Sequence, residues 1–187
     1  MLLSDNSLPS LPDGLFEKLT QFQSNLYMGT NMLTSLPAGI FNHLTQLKNG
    51  LSLTKNKLHS LPDGIFDKLT QLKSSLHIGE NKLLTTLPGD IFHKLTQLMS
   101  DLSIGFSGLK SLPVEIFQNL TQLQKGLELG GNVMTFLPDG IFGALTRLTH
   151  KLDLNNNKLY SLPGGIFDKL TQLQSYLDLN NNKLTFL

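Results

Sequence analysis

Cysteine and tryptophan are absent from this 187-residue chain. Without cysteine, neither a disulfide framework nor thiol chemistry is available, and the redox compartment is left open. Charge excess is missing as well: 15 Lys and Arg stand against 14 Asp and Glu, a formal net charge of +1. Such a balance gives no electrostatic footprint for nucleic acid or an anionic membrane, so neither partner is expected. No apolar run approaches the length of a membrane span, and no basic-then-apolar leader opens the sequence. Membrane insertion and a targeting segment are therefore not expected, and localisation stays undetermined.

What the chain has in abundance is repetition. A block reading L-P-x-G-I-F-x-x-L-T-Q-L is centred on Phe16, Phe41, Phe66, Phe92, Phe117, Phe142 and Phe167, at steps of 25 residues with a single step of 26. A fixed period of this size marks a solenoid of stacked units rather than a globule around one cleft. The 40% hydrophobic fraction is enough for a core that runs continuously through the stack.

Each block is followed by L-x-L-x-x-N-x-L, as at Leu51, Leu53, Asn56 and Leu58 or Leu177, Leu179, Asn182 and Leu184. Together the two halves are the leucine-rich repeat signature. Alternating leucines put two side chains on one face of a short strand, so neighbouring units can pair into a parallel sheet. The asparagine offers both a donor and an acceptor to the turn where the chain leaves the sheet. Its ladder runs Asn6, Asn31, Asn56, Asn81, Asn132, Asn157 and Asn182, broken only by Ser107, where a weaker turn is expected beside Gly108. An additional Leu in Lys82-Leu83-Leu84 should bulge one loop.

In the convex half, Pro and a Gly-containing pair turn the chain, and Ile, Phe and Leu point back inward. A helical or 3₁₀ turn is predicted over residues 62–72 and their equivalents. The expected fold is thus an α/β leucine-rich repeat solenoid, a curved horseshoe with its parallel β-sheet on the concave face. Residues 1–187 form a single array of seven 25/26-residue units plus a terminal strand, with eight strands near residues 1, 26, 51, 76, 102, 127, 152 and 177.

The wording Leu61-Pro62-Asp63-Gly64-Ile65-Phe66-Asp67-Lys68-Leu69-Thr70-Gln71-Leu72, with Leu177-Asp178-Leu179-Asn180-Asn181-Asn182-Lys183-Leu184, resembles the repeats of jawless-vertebrate variable lymphocyte receptors. The resemblance covers essentially the whole chain. It implies an antigen-binding horseshoe, extracellular by family, whose concave strands hold the ligand, often with help from a C-terminal cap loop. This chain departs from that pattern: no disulfide-bearing caps are present, and three residues rather than two separate L-T-Q-L from the strand leucine, as in Lys48-Asn49-Gly50. An insertion repeated in phase points to engineering or to amplification of one altered unit. If it simply lengthened the strand, Lys125 and His150 would face the core, so a bulge before the strand is predicted instead. Asn25, Gly50, Ser75, Asp101, Gly126, Lys151 and Tyr176 would then project from the rim.

Internal repetition permits a comparison of units. Core positions barely change, whereas the outward strand row reads Tyr27, Ser52, His77, Ser103, Glu128, Asp153 and Asp178. Two further rows follow, from Gly29 to Asn180 and from Thr30 to Asn181. A constant frame with a varied concave face is what recognition requires, and exposed aromatics make rigid anchors. The candidate ligand-binding residues are Tyr27, Lys55, His77, Glu80, Phe106, Glu128, Asp153 and Asp178. Asp153 and Asp178 share a register on adjacent strands, where two carboxylates could hold a cation or accept Arg.

Catalytic constellations do not emerge. His43, His59, His77, His93 and His150 occupy different registers without metal-ligand spacing, so no enzyme, metal or cofactor is expected. Asn119-Leu120-Thr121 matches a glycosylation sequon, too short a motif to assign. Two functions remain: a non-enzymatic module binding a protein or glycan on its concave face, and an engineered or structural scaffold. The second would self-associate as a homo-oligomer through uncapped ends.

Overall fold

The computed structural model describes residues 1–186. Seven parallel strands form one sheet in chain order: β1 Leu26–Tyr27, β2 Gly50–Ser52, β3 Ser75–His77, β4 Asp101–Ser103, β5 Gly126–Glu128, β6 Lys151–Asp153 and β7 Tyr176–Asp178. The expected strand near residue 1 is reduced to one parallel bridge, Leu2 to Tyr27. The central leucine of each strand pairs with the next, Leu51 with Leu76, Leu76 with Leu102 and Leu102 with Leu127. From Leu26 to Leu152 these leucines point inward and are buried, while Leu177 of β7 is 44% exposed.

Behind the sheet runs the phenylalanine spine. Phe16, Phe41, Phe66, Phe92, Phe117 and Phe142 are 0% exposed; the rings from Phe16 through Phe92, and that of Phe117 with Phe142, stack on their neighbours at 6.1 to 6.4 Å. Paired strands stand only about 4.8 Å apart. The convex side of the stack is therefore the wider one, and the array bends toward its sheet.

Among the described residues there is no helix, so the expected helical or 3₁₀ turns on the convex face are corrected. Residues 62–72 instead make separate i to i+3 turns: the N–H groups of Ile65, Asp67, Leu69 and Leu72 donate to the carbonyls of Pro62, Gly64, Phe66 and Leu69. Gly64 sits at φ 63°, a left-handed residue that breaks any run of helical angles. Staggered turns still point Ile65, Phe66 and Leu69 into the core.

The asparagine ladder closes each unit. Asn56 Nδ2 donates to the carbonyls of Met28 and Leu53 at 3.0 Å each, while its Oδ1 accepts from the Leu33 N–H at 3.1 Å. One side chain thereby satisfies buried backbone groups of two units, which would otherwise cost about 1–3 kcal/mol each. From this ladder the chain runs down a lateral flank to the next Leu-Pro. Bonds such as Lys57 N–H to Leu33 O at 2.9 Å and Lys158 N–H to Met134 O at 2.8 Å keep successive flank segments stacked.

The extra residue per unit is absorbed by a slip just ahead of the strand. The N–H groups of Lys125 and Gly126 both donate to the Ser100 carbonyl at 3.0 Å, and those of Ser74 and Ser75 both reach Asn49 O. Lys125 and His150 are exposed as a result. The row expected at the rim, however, lies in the sheet: Gly50 pairs with Ser75, Ser75 with Asp101, and Lys151 with Tyr176. Being two residues from the first outward row, these side chains share its concave face.

Candidate functional site

Four side-chain rows thus line the concave face. The first runs from Asn25 to Tyr176 and the second from Tyr27 to Asp178; the third is rich in glycine, with Gly79, Gly105 and Gly130 on consecutive units. In the fourth, the chain turns out of the sheet through a left-handed residue in every unit: Thr30, Lys55, Glu80, Phe106, Asn156 and Asn181 have φ between 50° and 60°, and Gly131 has 69°. Asn and Gly tolerate that conformation. Thr, Lys, Glu and Phe adopt it at a cost of about 1–2 kcal/mol each.

Toward β7 the face is chemically closed. Lys151 Nζ lies 2.9 Å from Glu128 Oε1 and 3.2 Å from Asp153 Oδ2. Its charge also sits 5.7 Å from the Tyr176 ring centre. Asp178 accepts from Asn155 Nδ2 at 2.8 Å, the Asn180 N–H at 2.8 Å and the Tyr176 hydroxyl at 2.9 Å. Those bonds, Asn155's foremost, hold the Asp178 carboxyl below the usual carboxylate range. Burial works to raise Glu128, but hydrogen bonds from Lys151 and Ser103 outweigh it and bring its pKa down. Asp153 and Asp178 do share a register, yet each carboxylate is already engaged by this network.

Toward β1 the groups are open. Tyr27 and Phe106 are 39% and 57% exposed. The Phe106 ring lies over Gly131, where a Cβ would stand 2.5 Å from the ring edge, so the glycine makes a floor for the aromatic. His77 belongs to β3, and Asp101 to the neighbouring strand. Burial raises the Asp101 pKa despite the lowering influence of His77 and Lys125. Lys55 and Glu80 meet only at 3.8 Å on an exposed edge. Asp101, Lys151, Tyr176 and Asn155 were not among the candidates from sequence; the first three occupy the added row that parity arguments had put at the rim.

Charge is segregated. On the concave face Lys55 and Lys151 stand against Asp5, Glu80, Asp101, Glu128, Asp153 and Asp178, an excess of four negative charges in a chain of net +1. His93 lies elsewhere, on the convex turns, with Nδ1 2.6 Å from Asp90 O. Asn119 of the sequon is tied to the His93 carbonyl at 2.9 Å. Among the described residues no group of three His, Asp or Glu is placed to hold a metal ion, and no helix is long and apolar enough to cross a membrane.

No protein-family model and no curated protein matches the chain. Solved structures do. The glycosylated Toll–Spatzle complex of Drosophila aligns with a TM-score of 0.74 and 27% identity over 96% of this chain and 26% of the neighbour. The TLR13–ssRNA13 complex aligns with a TM-score of 0.76 and 26% identity over 96% of this chain and 28% of the neighbour. The fold is a leucine-rich repeat solenoid. The chain spans about a quarter of the length of these leucine-rich repeat neighbours. The second neighbour corrects the expectation that nucleic acid is excluded, because TLR13 is found in complex with single-stranded RNA on the same fold. Net charge was the wrong quantity: a single strand is held by a local basic track and aromatic platforms, which a whole-chain sum conceals.

Proposed function

We propose that this chain is a non-enzymatic recognition module that takes a basic polypeptide segment on the β1–β4 half of its concave face. The observation carrying this reading is the division of that face. Near β6 and β7 the polar groups satisfy one another, whereas Tyr27, His77, Asp101 and Phe106 project from the same frame without such partners among the described residues. Rigid aromatics beside an unpaired carboxylate are the chemistry of an interface anchor. An excess of negative charge over the whole face favours Lys or Arg in the ligand and slows the approach of an anionic one.

Two comparisons support a recognition role in general: Toll is complexed with the protein Spatzle and TLR13 with RNA. The resemblance of L-P-x-G-I-F-D-K-L-T-Q-L to variable lymphocyte receptor repeats supports the concave face in particular. Panning a displayed random-peptide library on the immobilised chain tests the assignment. Enriched peptides should be basic, and Tyr27→Ala, His77→Ala and Phe106→Ala together should weaken them by about 30-fold or more, the loss of one or two anchors. Retention of affinity by that triple variant, with loss on the convex His93→Ala, would place the ligand on the other face. A library that yields no binder would favour a purely structural scaffold.

A further inference from the structure

Five of the 15 Lys and Arg lie on the lateral flank between the asparagine ladder and each Leu-Pro. Those segments contain Lys57, Lys82, Lys110, Lys158 and Lys183, with not one Asp or Glu among them. All five lysines are exposed, and none is in an ion pair among the described residues. The stacked backbone sets them in two neighbouring rows: the N–H groups of Lys57, Lys158 and Lys183 bond Leu33, Met134 and Leu159 O, while Lys110 N–H bonds Thr85 O in the row of His59 and Tyr160, two residues further along the segment.

Two aromatics share this flank. Phe136 and Tyr160 are 55% and 52% exposed, in the units that follow Lys110, and Lys183 Nζ sits 5.6 Å from the Tyr160 ring centre. At the other end, the loop widened by Leu83 walls a cleft of about 390 Å³ bordered by Lys55, Lys57, Lys82, Glu80 and Asn31. A basic strip with exposed rings beside its lysines matches a ligand that joins phosphates to planar bases.

We propose that this flank binds single-stranded nucleic acid, its phosphates along Lys57, Lys82, Lys110, Lys158 and Lys183 and its bases against Phe136 and Tyr160. The surface meets the edge of the concave face at Lys55 and Glu80 but shares none of Tyr27, His77, Asp101 and Phe106, and the inference does not rest on the peptide-binding reading. Phosphates contacting five lysines give a salt dependence of about −3.5 in log K against log salt, at about −0.7 per neutralised phosphate of a single strand. The strand is kept off the concave face by that face's own negative charge.

The test is fluorescence anisotropy with a labelled oligouridine of about 15 nucleotides, within the usual range for such surfaces. Lys57→Glu, Lys82→Glu and Lys110→Glu together should weaken binding at least tenfold at low salt and flatten the salt slope to about −1.4, since two lysines remain. Tyr160→Ala should weaken it several-fold and leave the slope unchanged. The concave triple variant Tyr27→Ala, His77→Ala, Phe106→Ala should bind the oligonucleotide as the parent does, which separates this failure from failure of the peptide-binding reading. An abasic oligomer or a sulfated polysaccharide binding as tightly, with no effect of Tyr160→Ala, would reduce the flank to a general polyanion surface and overturn the assignment. Absence of binding at low salt would overturn it outright.

Discussion

The N–H of Leu84 donates to the carbonyl of Asn81 at 2.9 Å, and this bond joins two irregularities of neighbouring units. In regular units the equivalent N–H is taken by the next asparagine rung, as Leu58 donates to Asn81 Oδ1 and Leu109 to Asn132 Oδ1. The additional Leu83 lets its loop close on itself, so the next rung has no N–H to accept. That rung is Ser107, whose buried hydroxyl has no partner among the described residues. Gly108 completes the arrangement, because a Cβ there would stand 2.7 Å from the Lys82 carbonyl of the widened loop.

Deleting Leu83 should therefore strand the Leu84 N–H and cost about 1–3 kcal/mol, the penalty for a buried unsatisfied group. Ser107→Asn should recover most of that loss in the deletion variant while giving the parent no gain. Urea denaturation of the four proteins in the cycle measures the coupling, and additive effects would show that the two irregularities are independent.

The left-handed row predicts a second pair of effects. Thr30, at φ 53°, pays for a β-branched side chain in a conformation suited to Asn, the residue at position 156 with φ 50°. Thr30→Asn should stabilise the chain by about 1 kcal/mol and Asn156→Thr should cost at least as much. Equal stability of both variants and the parent would mean that the row carries no strain.

Asp101 sets a pH dependence. Burial raises its folded-state pKa, so its ionisation opposes folding: the penalty is absent below the unfolded-state pKa and complete above the folded-state value. Asp101→Asn should raise the melting temperature at neutral pH, with the advantage shrinking to nothing as pH falls through the carboxylate range. Glu128 and Asp178, whose pKa values are lowered, act in the opposite sense and lose their contribution over that range. A constant difference between Asp101→Asn and parent at every pH would exclude the ionisation as its cause.

The spine of Phe41, Phe66 and Phe92, the paired strand leucines and the asparagine ladder were all readable from the chain. Each rests on a local requirement repeated in every unit, and repetition displays it many times over. The convex turns were not readable in the same way. Apolar spacing there fits a helix, but Gly64 at positive φ leaves only staggered turns, and backbone angle is invisible to periodicity.

The added row was misplaced for a related reason. The expected bulge took this row out of the strand, whereas the shared acceptor at Ser100 confines the slip to the residue ahead of it and leaves Asp101, Lys151 and Tyr176 paired in the sheet, where parity turns them to the concave face. The register of Asp153 with Asp178 likewise followed from counting, yet their engagement with Lys151, Asn155 and Tyr176 required the folded neighbours. A net charge of +1 similarly hid an acidic sheet and a basic flank. Repeated core chemistry acts within one unit and is written into it. The electrostatics of the surface arise between side chains roughly a full repeat apart, and only stacking brings those within a few ångströms of one another.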